Sequence, residues 1–83
     1  MKKAAALRYD KDRENAPRVV AKGEGRSAEN IIKIAELHNL PIRKDEDLIE
    51  LLSKVELDKE VPEALYRAVA EVFSFIYKVS KKS

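Results

Sequence analysis

With 83 residues, 45% of them hydrophobic and 39% charged, the chain is large enough for one small domain whose single core is near the minimum that folds unaided. The formal net charge of +2, from interspersed acids and bases, names no polyanionic partner, and the basic pairs Lys2-Lys3 and Lys81-Lys82 lie at ends (1–3 and 80–83) expected to fray. The absence of cysteine excludes disulfides, thiolate metal sites and cysteine nucleophiles.

Residues 4–9, Ala-Ala-Ala-Leu-Arg-Tyr, read as a first strand, and Asp10 to Pro17 as a charged turn and loop. Arg18-Val19-Val20-Ala21-Lys22 supplies a β-branched second strand, most economically the antiparallel neighbour of the first. Gly23-Glu24-Gly25 then breaks the chain. Neither a Walker pattern nor a dinucleotide fingerprint accompanies these glycines, so they mark a tight strand-to-helix turn rather than a phosphate loop. Ser27 is the expected cap of a helix running to about His38, with Ala28, Ile31, Ile32 and Ala35 facing the core and Ile34 and Leu37 widening the apolar arc. Asn39 in a left-handed conformation, followed by Leu40 and Pro41, is the expected stop.

Pro41-Ile42-Arg43 is read as a short third strand, parallel to the second through a βαβ connection. Asp45 caps the next helix, whose buried stripe is Leu48, Leu51, Leu52 and Val55, and Glu56 to Glu60 is a charged connection. The last helix starts at Pro62, which suits a first helical position. At 100° per residue, Val61, Leu65, Ala68, Val69, Val72, Ile76 and Val79 share its core face, while Tyr66, Ala70, Phe73 and Tyr77 form a second apolar stripe that something must cover. The expected architecture is therefore a single α/β (α+β) domain over residues 1–83, with a small mixed sheet of about three strands and three main helices.

The inventory predicts no enzyme. His38 is the sole histidine, placed near a helix C-terminus without a cysteine or evident serine partner. Asp45, Glu46 and Asp47 lack the spaced oxygen ligands and glycine turn of a calcium loop, so neither metal nor cofactor is expected. Aromatics at helical spacing in the last helix are read as core or as a protein contact rather than a platform for bases. No segment reaches the length of a membrane span, and Arg8 and Asp10 interrupt the apolar start too early for a signal peptide, so a soluble cytoplasmic protein without direct membrane insertion is expected.

Taken in order, the blocks Ala5-Ala6-Leu7-Arg8-Tyr9-Asp10, Ala16-Pro17-Arg18-Val19-Val20-Ala21-Lys22-Gly23, His38-Asn39-Leu40-Pro41-Ile42, Val61-Pro62-Glu63-Ala64-Leu65-Tyr66 and Ala68-Val69-Ala70-Glu71-Val72 cover most of the chain. Together they resemble the cytoplasmic C-terminal domain of the flagellar export protein FlhB and its injectisome relatives. The resemblance implies a small sheet with helices around it that helps a bacterial type III export apparatus select its substrates. By position, the family's apolar patch for early export substrates falls on Ala16, Pro17, Ala70 and Phe73. By the same resemblance, Met1 and Lys2 fall at the threonine and histidine of the family's self-cleaving Asn-Pro-Thr-His sequence, so self-cleavage is not expected. Asn39 and Asp58 stand where many relatives carry glycine.

The resemblance also implies that the family's first strand is missing beside Ala4, Ala5, Ala6, Leu7, Arg8 and Tyr9. That edge is then expected to accept the strand of an FlhB-like membrane protein, or a second copy of this chain. The expected role is a non-enzymatic accessory of flagellar or type III export, in contact with export-apparatus proteins and export substrates. It would recognise substrates or substitute for the cleaved C-terminal fragment, in the cytoplasm and at the periphery of the inner-membrane apparatus. The alternatives are a small nucleic-acid-binding regulatory domain and a degenerate duplicate with no independent activity.

Overall fold

A β-hairpin with helices packed on it forms the centre of the molecule. The computed structural model describes residues 1–10, 12, 13 and 15–81, with side chains as far as Phe75. Strand β1 (Lys3–Arg8) pairs antiparallel with β2 (Arg18–Glu24), from Lys3 opposite Glu24 to Arg8 opposite Arg18. The register shifts between Ala6 and Leu7, where Ala21 and then Val19 are the partners, so Val20 is the extra residue of a β-bulge. Lys3, expected to fray, is instead the first strand residue, because its ammonium donates to Glu50 Oε1 at 2.8 Å and the neighbouring Lys2 carbonyl accepts from the Gly25 N–H at 2.7 Å.

One face of the hairpin carries the main core. Val19 packs with Leu48, Leu52, Val55, Val61 and Val69, and Ala5, Leu7, Leu65, Ala68, Val72 and Phe73 close around them. Strand alternation turns Ala4 and Ala6 to the other face. There α1 (Arg26–Leu37) lies against both strands. Gly23 is what lets α1 approach: a Cβ at that position would sit 2.6 Å from Ser27 Cβ and 3.2 Å from the Ala28 nitrogen. The expected strand-to-helix turn is present, with Gly25 at φ 57°. The cap differs from expectation, since Gly25 rather than Ser27 occupies the N-cap and no side chain caps the helix. Ser27 is already inside the first turn, on the side of the helix that approaches Gly23.

The C-terminus of α1 ends as its sequence foretells. Asn39 has φ 57°, its N–H donates to the Glu36 carbonyl, and the Leu40 N–H donates to the Ala35 carbonyl at 2.8 Å, the paired bonds of a Schellman motif. Ala28 is fully buried and Ile31, Ile32 and Ala35 are half-buried, whereas Ile34 and Leu37 are exposed, Leu37 by 79%. The apolar arc of α1 is thus wider than the surface it covers, because only two strands lie beneath it.

Helix α2 (Glu46–Leu52) begins under the Asp45 cap, whose Oδ1 accepts the Leu48 N–H at 3.0 Å. Leu48, Leu52 and Val55 are buried as expected, but Leu51 is 45% exposed. The helix stops at Leu52, and Val55 reaches the core from the turn beyond it. Lys22 reaches across from β2 to its end, donating to the Val55 carbonyl at 2.7 Å and the Ser53 carbonyl at 3.2 Å.

No third strand forms at Pro41–Arg43, and the sheet is antiparallel rather than mixed. The free side of β2 is occupied by the segment read as a charged connection. Val19 N–H donates to the Lys59 carbonyl, Asp58 N–H to the Val19 carbonyl and Val61 N–H to the Pro17 carbonyl, with Arg18 and Glu60 forming an isolated bridge. Residues 58–61 therefore satisfy the backbone groups that 41–43 would have needed. Asp58, at φ 65°, is the third residue of a four-residue turn closed from Lys59 N–H to the Glu56 carbonyl. Asn39 and Asp58 both adopt left-handed backbone, the conformation that glycine takes without steric cost.

After Val61 and Pro62, a 3-10 turn (Glu63–Leu65) leads into α3 (Tyr66–Lys81). Pro62 precedes the first helical residue instead of occupying it. Val61 and Val69 are buried, and Leu65, Ala68 and Val72 half-buried, as their periodicity predicts. The side chains of Ile76, Tyr77 and Val79 lie outside the described set, as do Lys82 and Ser83. The resulting architecture is α+β, a two-stranded antiparallel sheet with three helices.

Candidate functional site

Two adjoining surfaces of the hairpin carry the residues of interest. The first is the outer side of β1. The strand has β2 as its neighbour and, among the described residues, no strand on its other side. An edge strand presents alternate N–H and C=O groups outward, a ready template for another strand. Ala4, Ala5, Ala6, Leu7 and Arg8 all lie in β1, while Tyr9 falls one residue beyond the last ladder pair.

The second surface is an apolar groove of about 270 Å³ at the turn end of the hairpin, lined by Tyr9, Asn15, Pro17, Tyr66, Ala70 and Phe73. Helical spacing on α3 brings Tyr66, Ala70 and Phe73 to one wall, since residues three and four apart are neighbours on a helix. The hairpin supplies the opposite wall with Tyr9, just after β1, and Pro17, just before β2. The rings of Tyr9 and Phe73 meet at 6.0 Å between centroids with a 53° tilt, a favourable aromatic geometry. Ala70 is exposed and Phe73 half-buried, so Phe73 both seals the core and floors the groove.

Of the four residues expected in a substrate patch, the structure brings Pro17, Ala70 and Phe73 together. Ala16 is 1% exposed and belongs to the interior. A residue that close to full burial has no surface to offer a ligand, and its small side chain instead lets the hairpin loop approach the core. Tyr9, read from sequence only as an edge residue, and Asn15, not singled out at all, join the groove. Nothing in a linear pattern announces them, because both reach α3 only through the turn of the hairpin. Tyr66 was legible as part of the second stripe.

A smaller depression of about 240 Å³ is lined by Ala4, Lys22, Gly23, Glu24 and Ser53. Its one ammonium, that of Lys22, is spent on the carbonyls ending α2, which leaves it unsuited to an anion. Among the described residues, Lys3 and Glu50 are the groups with displaced proton affinities. Their mutual hydrogen bond raises the Lys3 ammonium and lowers the Glu50 carboxyl, and their opposite charges add to both effects. Among the described residues no cluster of histidine, aspartate and glutamate could hold a metal, and no helix is long and apolar enough to cross a membrane. His38 is exposed at the C-cap of α1.

This α+β hairpin domain has the fold of solved cytoplasmic and C-terminal domains of the export proteins FlhB and EscU/SpaS. The chain belongs to the FlhB HrpN YscU SpaS family, whose model matches residues 1–76. It is 49% identical over 81 residues to the uncharacterised protein YlqH of Bacillus subtilis (strain 168), covering 98% of this chain and 87% of that one. It is 41% identical over 80 residues to the flagellar biosynthetic protein FlhB of Aquifex aeolicus (strain VF5), covering 95% of this chain but only 23% of FlhB. Among solved structures, the cytoplasmic domain of FlhB from Shewanella putrefaciens superposes with a TM-score of 0.91 at 31% identity, covering 96% of this chain and 66% of that domain. An EscU/SpaS C-terminal domain superposes at 0.87 with 26% identity, covering 92% and 95%.

Proposed function

We propose that this protein is a non-enzymatic accessory of a flagellar or related type III export apparatus, working in the cytoplasm by holding other polypeptides. The observation that carries this reading is the groove itself. Three of the four positions on which the family's substrate patch falls, Pro17, Ala70 and Phe73, line one apolar depression, and the ligand it suits is an apolar side chain of an export substrate. The test is binding of a peptide carrying the docking motif of an early flagellar export substrate. Ala70→Asp alters an exposed residue, so it leaves the fold intact and abolishes binding; unchanged binding would remove the groove from the proposal. Phe73→Asp is the poorer probe, because that ring also packs on the core.

The second element of the reading is a strand partner on β1. An FlhB-like membrane protein supplies it: the FlhB cytoplasmic domain has about a third of its length without a counterpart here. A second copy is the competing occupant of the same edge. Calorimetry with a peptide carrying the strand that precedes the cleavage sequence of FlhB should show association. A flat titration alongside a monomer–dimer equilibrium of the protein alone would instead assign the edge to self-pairing.

A further inference from the structure

The open strand and the groove share one residue. Tyr9 follows directly on Arg8, the last ladder residue of β1, and its ring forms a wall of the groove against Phe73. The chain turns away immediately afterwards: the Asp10 carbonyl accepts the Arg13 N–H at 3.0 Å, and Asp10 Oδ1 accepts the Asp12 N–H at 3.0 Å. Tyr9 is therefore the single residue between ladder and turn. With the residue 43% exposed and its backbone outside the last pair, its position depends on how firmly the end of β1 is held.

We propose that Tyr9 couples the two surfaces, so that a strand added to the outer edge of β1 tightens the groove's grip on an apolar peptide. The inference rests on the two-site reading above and goes further by making one site regulate the other. An edge strand is held on one side and frays at its ends; pairing the second side through the outward N–H and C=O of Leu7 removes that freedom at the end of β1 and fixes the ring that walls the groove. A first ligand that orders what a second must otherwise order gives positive cooperativity without a change of fold. By linkage, the peptide in the groove must tighten strand binding by the same factor.

The experiment measures the affinity of the full chain for a labelled export-substrate peptide, with and without a saturating peptide of the FlhB strand, in wild type, Tyr9→Ala and Tyr9→Phe. Wild type and Tyr9→Phe should show tightening of about fivefold, the lower end of coupled sites, and Tyr9→Ala less than twofold. Equal tightening in Tyr9→Ala, or both peptides binding to wild type with no mutual effect, overturns the coupling and leaves the two sites standing. Failure of either peptide to bind wild type at all overturns the coupling together with the part of the reading on which it rests. Should Tyr9→Ala not fold, the ring resonances of Tyr9 in the wild-type protein decide. Strand peptide alone must shift and sharpen them, and unchanged resonances refute the proposal.

Discussion

The two edges of the hairpin are treated differently, and the difference separates what holds the domain together from what is left for others. On the β2 side, residues 58–61 return to bond with Pro17 and Val19, and Val61 is driven into the core as they do so. On the β1 side no strand follows among the described residues, and the strand is held by β2 and by Lys3 bonding to Glu50. Backbone pairing is supplied internally where it coincides with burial of a large apolar side chain, and left open along a run of three alanines, where the chain has little apolar surface to hide.

That contrast is broken most severely from the closed side. Val61→Ala deletes two buried methyl groups beside the returning segment, and should lower unfolding free energy by about 2 kcal/mol in urea titrations. Exchange of the Val19 amide, bonded to Lys59, should accelerate with it, whereas the outward amides of β1 exchange rapidly in either protein. Retained protection of Val19 would mean that the closure does not depend on Val61.

A smaller change sharpens the closure. Asp58 holds a left-handed conformation that carries a steric penalty for a residue with a Cβ, so Asp58→Gly should stabilise by about 0.5–1 kcal/mol, less what the added freedom of the unfolded chain takes back. Its N–H bond to Val19 and its carbonyl, which accepts from Arg18, are both backbone groups and survive the change. A thermal melt that moves down would show that the aspartate side chain contributes more than its backbone strain removes.

The smallest effect belongs to the open edge. The Glu50 carboxyl is lowered by its hydrogen bond to Lys3, so its contribution is complete above the ordinary carboxylate range and disappears as pH falls through the lowered value. The Lys3 ammonium is raised by the same bond, so its contribution is complete below the ordinary lysine range and is lost as pH rises through the raised value. The pair therefore supports the fold across neutral pH and fails in strong acid and strong base. Glu50→Gln should flatten the acid limb of melting temperature against pH, slightly, and high salt should have the same effect on wild type.

The sequence's own signals explain both the successes and the misses. The Asp45 cap and the Asn39 stop were legible because they depend on neighbours in the chain, one bonding a residue three positions on and the other turning the backbone locally. The start of α1 was misread at Ser27, because the close approach of the helix at Gly23 moves the cap to Gly25. The strand expected at Pro41–Arg43 and the unread pairing at 58–61 failed together, since both concern which segment reaches the edge of β2. Backbone hydrogen bonds leave no mark on side-chain composition, so a charged stretch can pair as well as a β-branched one. In the groove, Ala70 and Phe73 followed from helical spacing, Ala16 was misplaced to the surface, and Tyr9 arrived without a signal.

By itself the sequence determined the antiparallel hairpin, the three helices, their stop signals and the family, because periodicity, capping and turn chemistry act between residues close in the chain. Tertiary structure alone decided which segment closes β2, that Ala16 is interior, and that the end of β1 meets α3 across an aromatic pair. Those contacts join residues tens of positions apart, and their energies come from burial and pairing that exist only once the chain has folded back on itself.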